Sequence, residues 1–190
     1  MTNTIQYYEK HAKEYTEKTI NTNMTKTYDM FEKYLKPKDH ILDLGCGSGR
    51  DTKHFITNYH VTALDPVKAF LNNVPDNINK LNLNATDIIK HKELYNSFDA
   101  IFACASLLHI PQEDLKEVFL GCYKILKDEG IMYVSFKYGD YVGIRDGRYY
   151  IDLTKETIKD YIGNFHIVET SITGDNLQRN NRWLNCILTK

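Results

Sequence analysis

Ile41-Leu42-Asp43-Leu44-Gly45-Cys46-Gly47-Ser48-Gly49-Arg50-Asp51 decides how this chain is read. An apolar strand carrying one acid runs into three glycines at alternate positions, and the sequence then reads as helix. A strand leading through a glycine turn into a helix N-terminus is the nucleotide-cradling start of a βα unit. A pyrophosphate turn wants G-x-G-x-x-G, but the third glycine falls one place early and Arg50 takes the sixth position. Asp43, two residues before the first glycine, would repel a pyrophosphate and suits a ligand that presents an ammonium group there.

Further along, Val61-Thr62-Ala63-Leu64-Asp65-Pro66 is a second strand ending in an acid, and Asp65 stands 20 residues beyond Gly45. That is the spacing of a ribose-binding acid in such folds. Asn84-Ala85-Thr86-Asp87-Ile88 follows, then Phe98-Asp99-Ala100-Ile101-Phe102-Ala103-Cys104-Ala105-Ser106-Leu107-Leu108-His109. In order and spacing these four segments resemble the motifs of the class I methyltransferases that use S-adenosylmethionine (SAM). The resemblance implies SAM as cofactor and S-adenosylhomocysteine (SAH) as product. It assigns Asp43, Gly45, Cys46, Gly47, Gly49 and Arg50 to the methionine end, and Asp65 with Pro66 to the ribose. Asp87 and Ile88 would frame the adenine, while Ala103, Ser106 and Leu108 pass beneath the methyl donor. Asp65 can also be read as a plain helix cap, and Asp87 as a turn acid. Small stand-alone enzymes, including the tellurite-resistance type, are similar. The C-terminal half departs from them with its own Arg182-Trp183-Leu184-Asn185.

The alternation of elements implies the same architecture. Helical spacing of Ile5, Tyr8, Ala12 and Tyr15 predicts a helix over about 4–18, and Thr25–Leu35 predicts a second. Strands are expected at His40–Leu44, His60–Leu64, Lys80–Leu83, Phe98–Ala103 and Ile131–Phe136, with helices at Asp51–Asn58, Pro66–Asn73, from Pro111 to Leu126, and from Thr154 to about Ile162. A turn at Asp128-Glu129-Gly130 should separate the long helix from its strand. Phe165–Thr173 and Trp183–Leu188 close the chain as a hairpin. Such alternation means a parallel sheet with right-handed crossovers. The expected fold is α/β, Rossmann-like: a seven-stranded, mostly parallel sheet with an antiparallel last strand and helices on both faces. Residues 1–190 read as one domain, with 1–36 as helices capping the cofactor site.

Composition limits the partners. Hydrophobic residues make up 42% and charged residues 26%, with a net charge of −1, so no bulk positive field calls for a nucleic-acid backbone. No apolar run approaches a membrane span, and no secretion signal opens the chain. Four scattered cysteines without a C-x-x-C pair fit free thiols in a reducing cytoplasm, and neither they nor the histidines show metal-ligand spacing. A small-molecule substrate and a cytoplasmic location are therefore expected; the oligomeric state is unreadable.

Methyl transfer needs alignment and exclusion of water more than acid–base work, so few catalytic residues are required. His109 follows the fourth strand and is the candidate base; its alternative is to order the Ser106–Pro111 turn. Tyr15 on the first helix would reach the methionine carboxylate, or belongs to an aromatic stripe packed on the sheet. The segment after Ile131–Phe136 holds Lys137, Tyr138, Arg145, Arg148 and Tyr150, and the last hairpin turn holds Arg179 and Arg182 before Trp183. Both connections should reach the carboxyl edge of the sheet, so Tyr138, Arg148, Tyr150, Arg182 and Trp183 are the candidate substrate residues, suited to an anionic acceptor. These cations can instead pair with Asp140, Asp146, Asp152 and Asp175. After the fourth strand stands Ala103-Cys104-Ala105-Ser106 rather than Asn/Asp-Pro-Pro-aromatic, which argues against methylation of a DNA base amine. An RNA or protein acceptor is the alternative, and an NAD-dependent oxidoreductase a remote one that Asp43 and Arg50 disfavour.

Overall fold

The computed structural model describes residues 3–190. The core strands are β1 (His40–Leu44), β2 (His60–Leu64), β3 (Asn79–Leu81), β4 (Phe98–Ala103) and β5 (Leu126–Lys137). Two strands missed by the sequence reading, β6 (Val142–Arg145) and β7 (Arg148–Ile151), precede β8 (His166–Gly174) and β9 (Arg182–Thr189). One seven-stranded sheet has the order β3-β2-β1-β4-β5-β9-β8; β1 to β5 are mutually parallel and β9 runs antiparallel to both its neighbours. This is the expected topology, antiparallel last strand included.

The helices are α1 (Asn3–Thr19), α2 (Thr25–Glu32), α3 (Arg50–Phe55), α4 (Lys68–Leu71) and α5 (Leu115–Ile125). Strand periodicity sorts the core into two sides. Leu42, Leu44, Ile101, Ala103, Met132 and Val134 share one cluster with Leu115, Val118, Phe119 and Cys122 of α5. Ile41, Ala100, Phe102 and Tyr133 face the other way, onto Tyr28 and Phe31 of α2 and Phe55 of α3. There the Phe102 and Tyr133 rings stack at 4.6 Å. Helices thus cover both faces, as a buried parallel sheet requires. None of the described helices is long and apolar enough to cross a membrane.

Several boundaries differ from expectation. Residues 111–114 form a turn that hands over to α5, with Asp114 N–H donating to the Pro111 carbonyl at 3.0 Å. The expected turn at 128–130 is absorbed into β5 as an irregularity, with Glu129 at φ 63° and a register shift between Phe98 and Ala100 on β4. Thr154 caps as expected, accepting from Glu156 and Thr157 N–H at 3.2 Å, but only a 3₁₀ turn over Thr157–Asp160 follows. Gly163, at φ 58°, closes that stretch before an α-helical nucleus can propagate. β6 and β7 pair as a separate hairpin around Asp146 (φ 48°) and Gly147 (φ 74°). Asp-Gly between short alternating runs is the sequence signal of such a turn, and it was present in the chain.

Candidate active site

β1 and β4 lie side by side, yet the chain leaves β1 toward β2 and leaves β4 toward β5. Their carboxyl ends therefore open a crevice at the point where the strand order reverses. Two cavities occupy it. The first, about 190 Å³, lies between the glycine turn, the end of β2, residues 84–86, the segment after β4, and α1.

The glycine turn is pinned by Gly45 and Cys46 N–H groups, which donate to the Leu64 carbonyl at 2.8 and 3.1 Å. A side chain on Gly45 would run into Cβ of Ser106, and one on Gly47 would start 3.3 Å from the Tyr15 ring. The bare backbone here is a cradle with no room for a Cβ. Asp65, 5% exposed, accepts from Gly47 N–H at 3.0 Å through one oxygen and from Val67 N–H at 2.9 Å through the other. It is a cap and a cavity wall at once. Each oxygen keeps a lone pair for a further donor. Burial pushes its carboxyl up to about 6 despite those two N–H donors. Ser106 Oγ is buried on the cavity wall without a partner, which leaves a polar group for a ligand to satisfy.

Comparison with known proteins places this arrangement. Residues 41–130 match the methyltransferase-domain family. Residues 41–130 are thus a methyltransferase domain. Phosphoethanolamine N-methyltransferase of Plasmodium falciparum is 27% identical over 106 residues, 53% of this chain and 40% of that protein. The chain thus spans two fifths of the length of this curated relative. In fold it resembles the Burkholderia thailandensis 1,6-didemethyltoxoflavin-N1-methyltransferase solved with SAH, at a TM-score of 0.78 and 17% identity, covering 98% of this chain and 84% of that one. The N-methyltransferase NodS of Bradyrhizobium japonicum, also solved with SAH, gives a TM-score of 0.78 at 14% identity and covers 99% and 98%.

The methyltransferase domain fits its cofactor on grounds of its own: a glycine cradle without a Cβ, a buried acid with free lone pairs, and an unpartnered serine hydroxyl. Of the residues the sequence set around the cofactor, Gly45, Gly47, Asp65, Pro66, Ser106 and Tyr15 line the first cavity. Other assigned residues stand elsewhere. Asp43 lies beneath the glycine turn, 1% exposed, and accepts from the Thr52 hydroxyl; burial and the neighbouring Asp51 raise its pKa. Cys46 and Gly49 are in the turn but behind the cavity wall, and Ala103 and Ile88 are core. Asp87 is off the wall too, its carboxylate paired with Lys90 at 2.6 Å. Asn84, Ala85 and Thr86 line the cavity in its place, because Asn84 Oδ1 accepts from Thr86 N–H and turns these residues inward. Asn84 opening a turn was the available signal. Val67 and Phe70 of the wall carried none beyond their apolar character.

The second cavity, about 540 Å³, continues past Tyr8, Tyr15, Cys104, Ala105 and His109, which line both. Arg50 is on its wall rather than in the first cavity, gripping both oxygens of Asp51 at 2.8 Å while Tyr28 donates to the same acid at 2.6 Å. Arg148, Tyr150 and Trp183 of the substrate set line it, joined by Lys137, Arg145 and Arg179; Leu108, assigned to the cofactor, lines this cavity and not the first. Arg182 and Tyr138 do not. They stack on each other outside, with the guanidinium 4.9 Å from the ring. The reason is strand alternation: Lys137 and Trp183 turn in, so their neighbours Tyr138 and Arg182 turn away. Arg145 pairs with Asp152 at 2.6 Å and Arg179 with Asp175 at 2.8 Å, so the loop-bridge alternative holds for these two.

His109 sits at the junction with both nitrogens engaged. Nδ1 lies 2.7 Å from the Tyr149 carbonyl and must carry the proton, so Nε2 accepts from the Tyr8 hydroxyl at 3.0 Å. Burial pushes the imidazole down to about 4, which keeps it neutral near pH 7. The Tyr8 oxygen in turn accepts from Arg148 Nη1 at 3.3 Å. Burial raises the Cys104 thiol to about 12, so it stays protonated. Among the described residues, no group of three or more His, Cys, Asp or Glu is placed to hold a metal ion.

Proposed function

We propose that this chain transfers a methyl group from SAM to a small acceptor carrying an anionic group. The observation that carries the reading is the continuity of the two cavities through Tyr8, Tyr15, Cys104, Ala105 and His109. A donor in the first and an acceptor in the second would meet only there. Bound SAM supplies a methyl already activated by its sulfonium. The protein's part is to hold and align. Gly45 and Gly47 give the backbone surface, Asp65 accepts ribose hydroxyls, Asn84 and Thr86 edge the base, and Tyr15 faces the methionine end.

At the junction no carboxylate competes for the acceptor atom. Asp65 and Asp114 line the first cavity, and Asp146 and Asp175 the second. His109, neutral and tied at both nitrogens, acts here as a positioning residue that fixes Tyr8, β7 and the segment after β4 together. A concave space of about 540 Å³ suits a metabolite, whereas an RNA or protein acceptor would call for an extended basic face. The test is incubation with methyl-labelled SAM against fractionated small metabolites, total RNA and protein. Label is expected in an anionic small-molecule fraction. Label confined to RNA or protein, or no SAH-dependent thermal stabilisation, would overturn the reading.

A further inference from the structure

The charges on the second cavity do not cancel. Arg50, Arg145 and Arg179 each hold an acid: Asp51, Asp152 and Asp175. Lys137 and Arg148 have no ion-pair partner among the described residues. Asp146, the remaining acid on the wall, is exposed at the hairpin tip, where water screens it. Among the described residues Arg148 makes one side-chain hydrogen bond, to Tyr8, and its buried Nε has no partner. A native guanidinium seldom leaves a buried N–H unmet.

The two free cations converge on one ring. Lys137 Nζ stands 4.3 Å from the centroid of Tyr150 and the Arg148 guanidinium 5.3 Å from it. Burial and the neighbouring Arg145 hold the Lys137 ammonium below its ordinary range, against the opposing pull of Asp152, which is itself paired with Arg145. On the Arg148 side the ring neighbours are Tyr7 and Tyr8, and behind them His109, neutral above about pH 4. None of these groups supplies a negative charge.

Resting on the methyltransferase reading above, we propose that Lys137 and Arg148, set around Tyr150, form a subsite for a doubly charged group on the acceptor, of the phosphomonoester class. One carboxylate would leave a cation uncompensated inside the cavity. A phosphomonoester carries close to two negative charges near neutral pH and offers three oxygens, enough for a guanidinium fork and an ammonium together.

Calorimetric titration of the SAH-saturated protein with methyl phosphate, dimethyl phosphate and acetate tests this. Methyl phosphate should bind at least ~10-fold more tightly than either singly charged probe at pH 7.5. Lowering the pH to 5 should erase that margin, because the second ionisation of a phosphomonoester lies at about 6. Lys137→Met should lose the margin at pH 7.5 while still binding dimethyl phosphate through Arg148, and Lys137→Arg should keep it. Equal binding of methyl and dimethyl phosphate, tighter binding of acetate, no binding of any probe, or a margin that survives Lys137→Met would each overturn the proposal. SAH binding is measured first in every protein. Its absence in the wild type would sink the methyltransferase reading itself, and its absence only in Lys137→Met would pass the decision to Lys137→Gln.

Discussion

The two cavities are built in opposite ways. The first is made largely of backbone and of residues close in sequence to a strand end: a glycine turn after β1, Asp65 after β2, Asn84–Thr86 after β3, and Ser106 after β4. The second is made of side chains from α1, β5, β7, the β8–β9 turn and β9, which meet only in the finished fold. A cofactor common to a fold class can be met by fixed local geometry. An acceptor particular to one enzyme calls for side chains that can vary without disturbing that geometry.

The difference is open to attack by mutation. Gly45→Val places a branched side chain against Ser106 at a backbone angle of φ 79°, so SAH affinity should fall by ~100-fold or more, about 2.7 kcal/mol. A thermal-shift titration reads this, and retained affinity would mean the turn is not the cofactor cradle. Asp65 offers a gentler handle. Its carboxyl sits at about 6 in the free protein, raised by burial, and ligand hydroxyls need the ionised form. Affinity for SAH should therefore hold above pH 6 and fall as the pH drops through it, approaching ~10-fold per unit. Asp65→Asn should bind SAH weakly with a flat profile over that range, and a slope that persists would assign the proton to another group.

The second cavity should respond without the first. Arg148→Lys keeps the charge but loses the fork, and should raise the acceptor Michaelis constant by about 5- to 10-fold with SAH affinity unchanged. Arg182→Lys should change neither, since Arg182 stacks on Tyr138 outside the cavity. A kinetic effect of Arg182→Lys equal to that of Arg148→Lys would erase the distinction between inward and outward residues. His109→Ala should show the smallest effect on turnover, a few-fold. Its cost should appear in stability, about 1–3 kcal/mol by chemical denaturation, as the Tyr8 hydroxyl and the Tyr149 carbonyl lose their partner. A selective loss of turnover of ~100-fold with stability intact would make His109 a base instead.

What could be read beforehand follows the same division. The glycine turn, Asp65 and the strand order are dictated by neighbours along the chain, so one stretch of sequence carries both the signal and its meaning. Asp87 was misplaced because a 3₁₀ turn, not the strand, sets which of residues 84–88 face in. Arg182 and Tyr138 were misplaced because a loop reading cannot tell alternate sides: Arg182 opens β9 and Tyr138 follows the last residue of β5, where a one-residue step reverses direction. The β6–β7 hairpin was passed over as loop although Asp146-Gly147 announced it. Its role could not have been read, since Arg148 gains its setting only when Tyr7 and Tyr8 arrive from 140 residues away.

Among the described strands that hairpin pairs only with itself. Its one backbone bridge near the main sheet, Tyr138 to Leu153, lies at its base. Thr4 of α1 holds it from the other side, its hydroxyl accepting from Tyr149 N–H at 2.9 Å. It loads the second cavity from outside the seven-stranded sheet, so the side chains it aims there can change without moving the strands that hold the glycine turn. A change of acceptor is then a change of cavity lining, made without rebuilding the backbone that frames the first cavity.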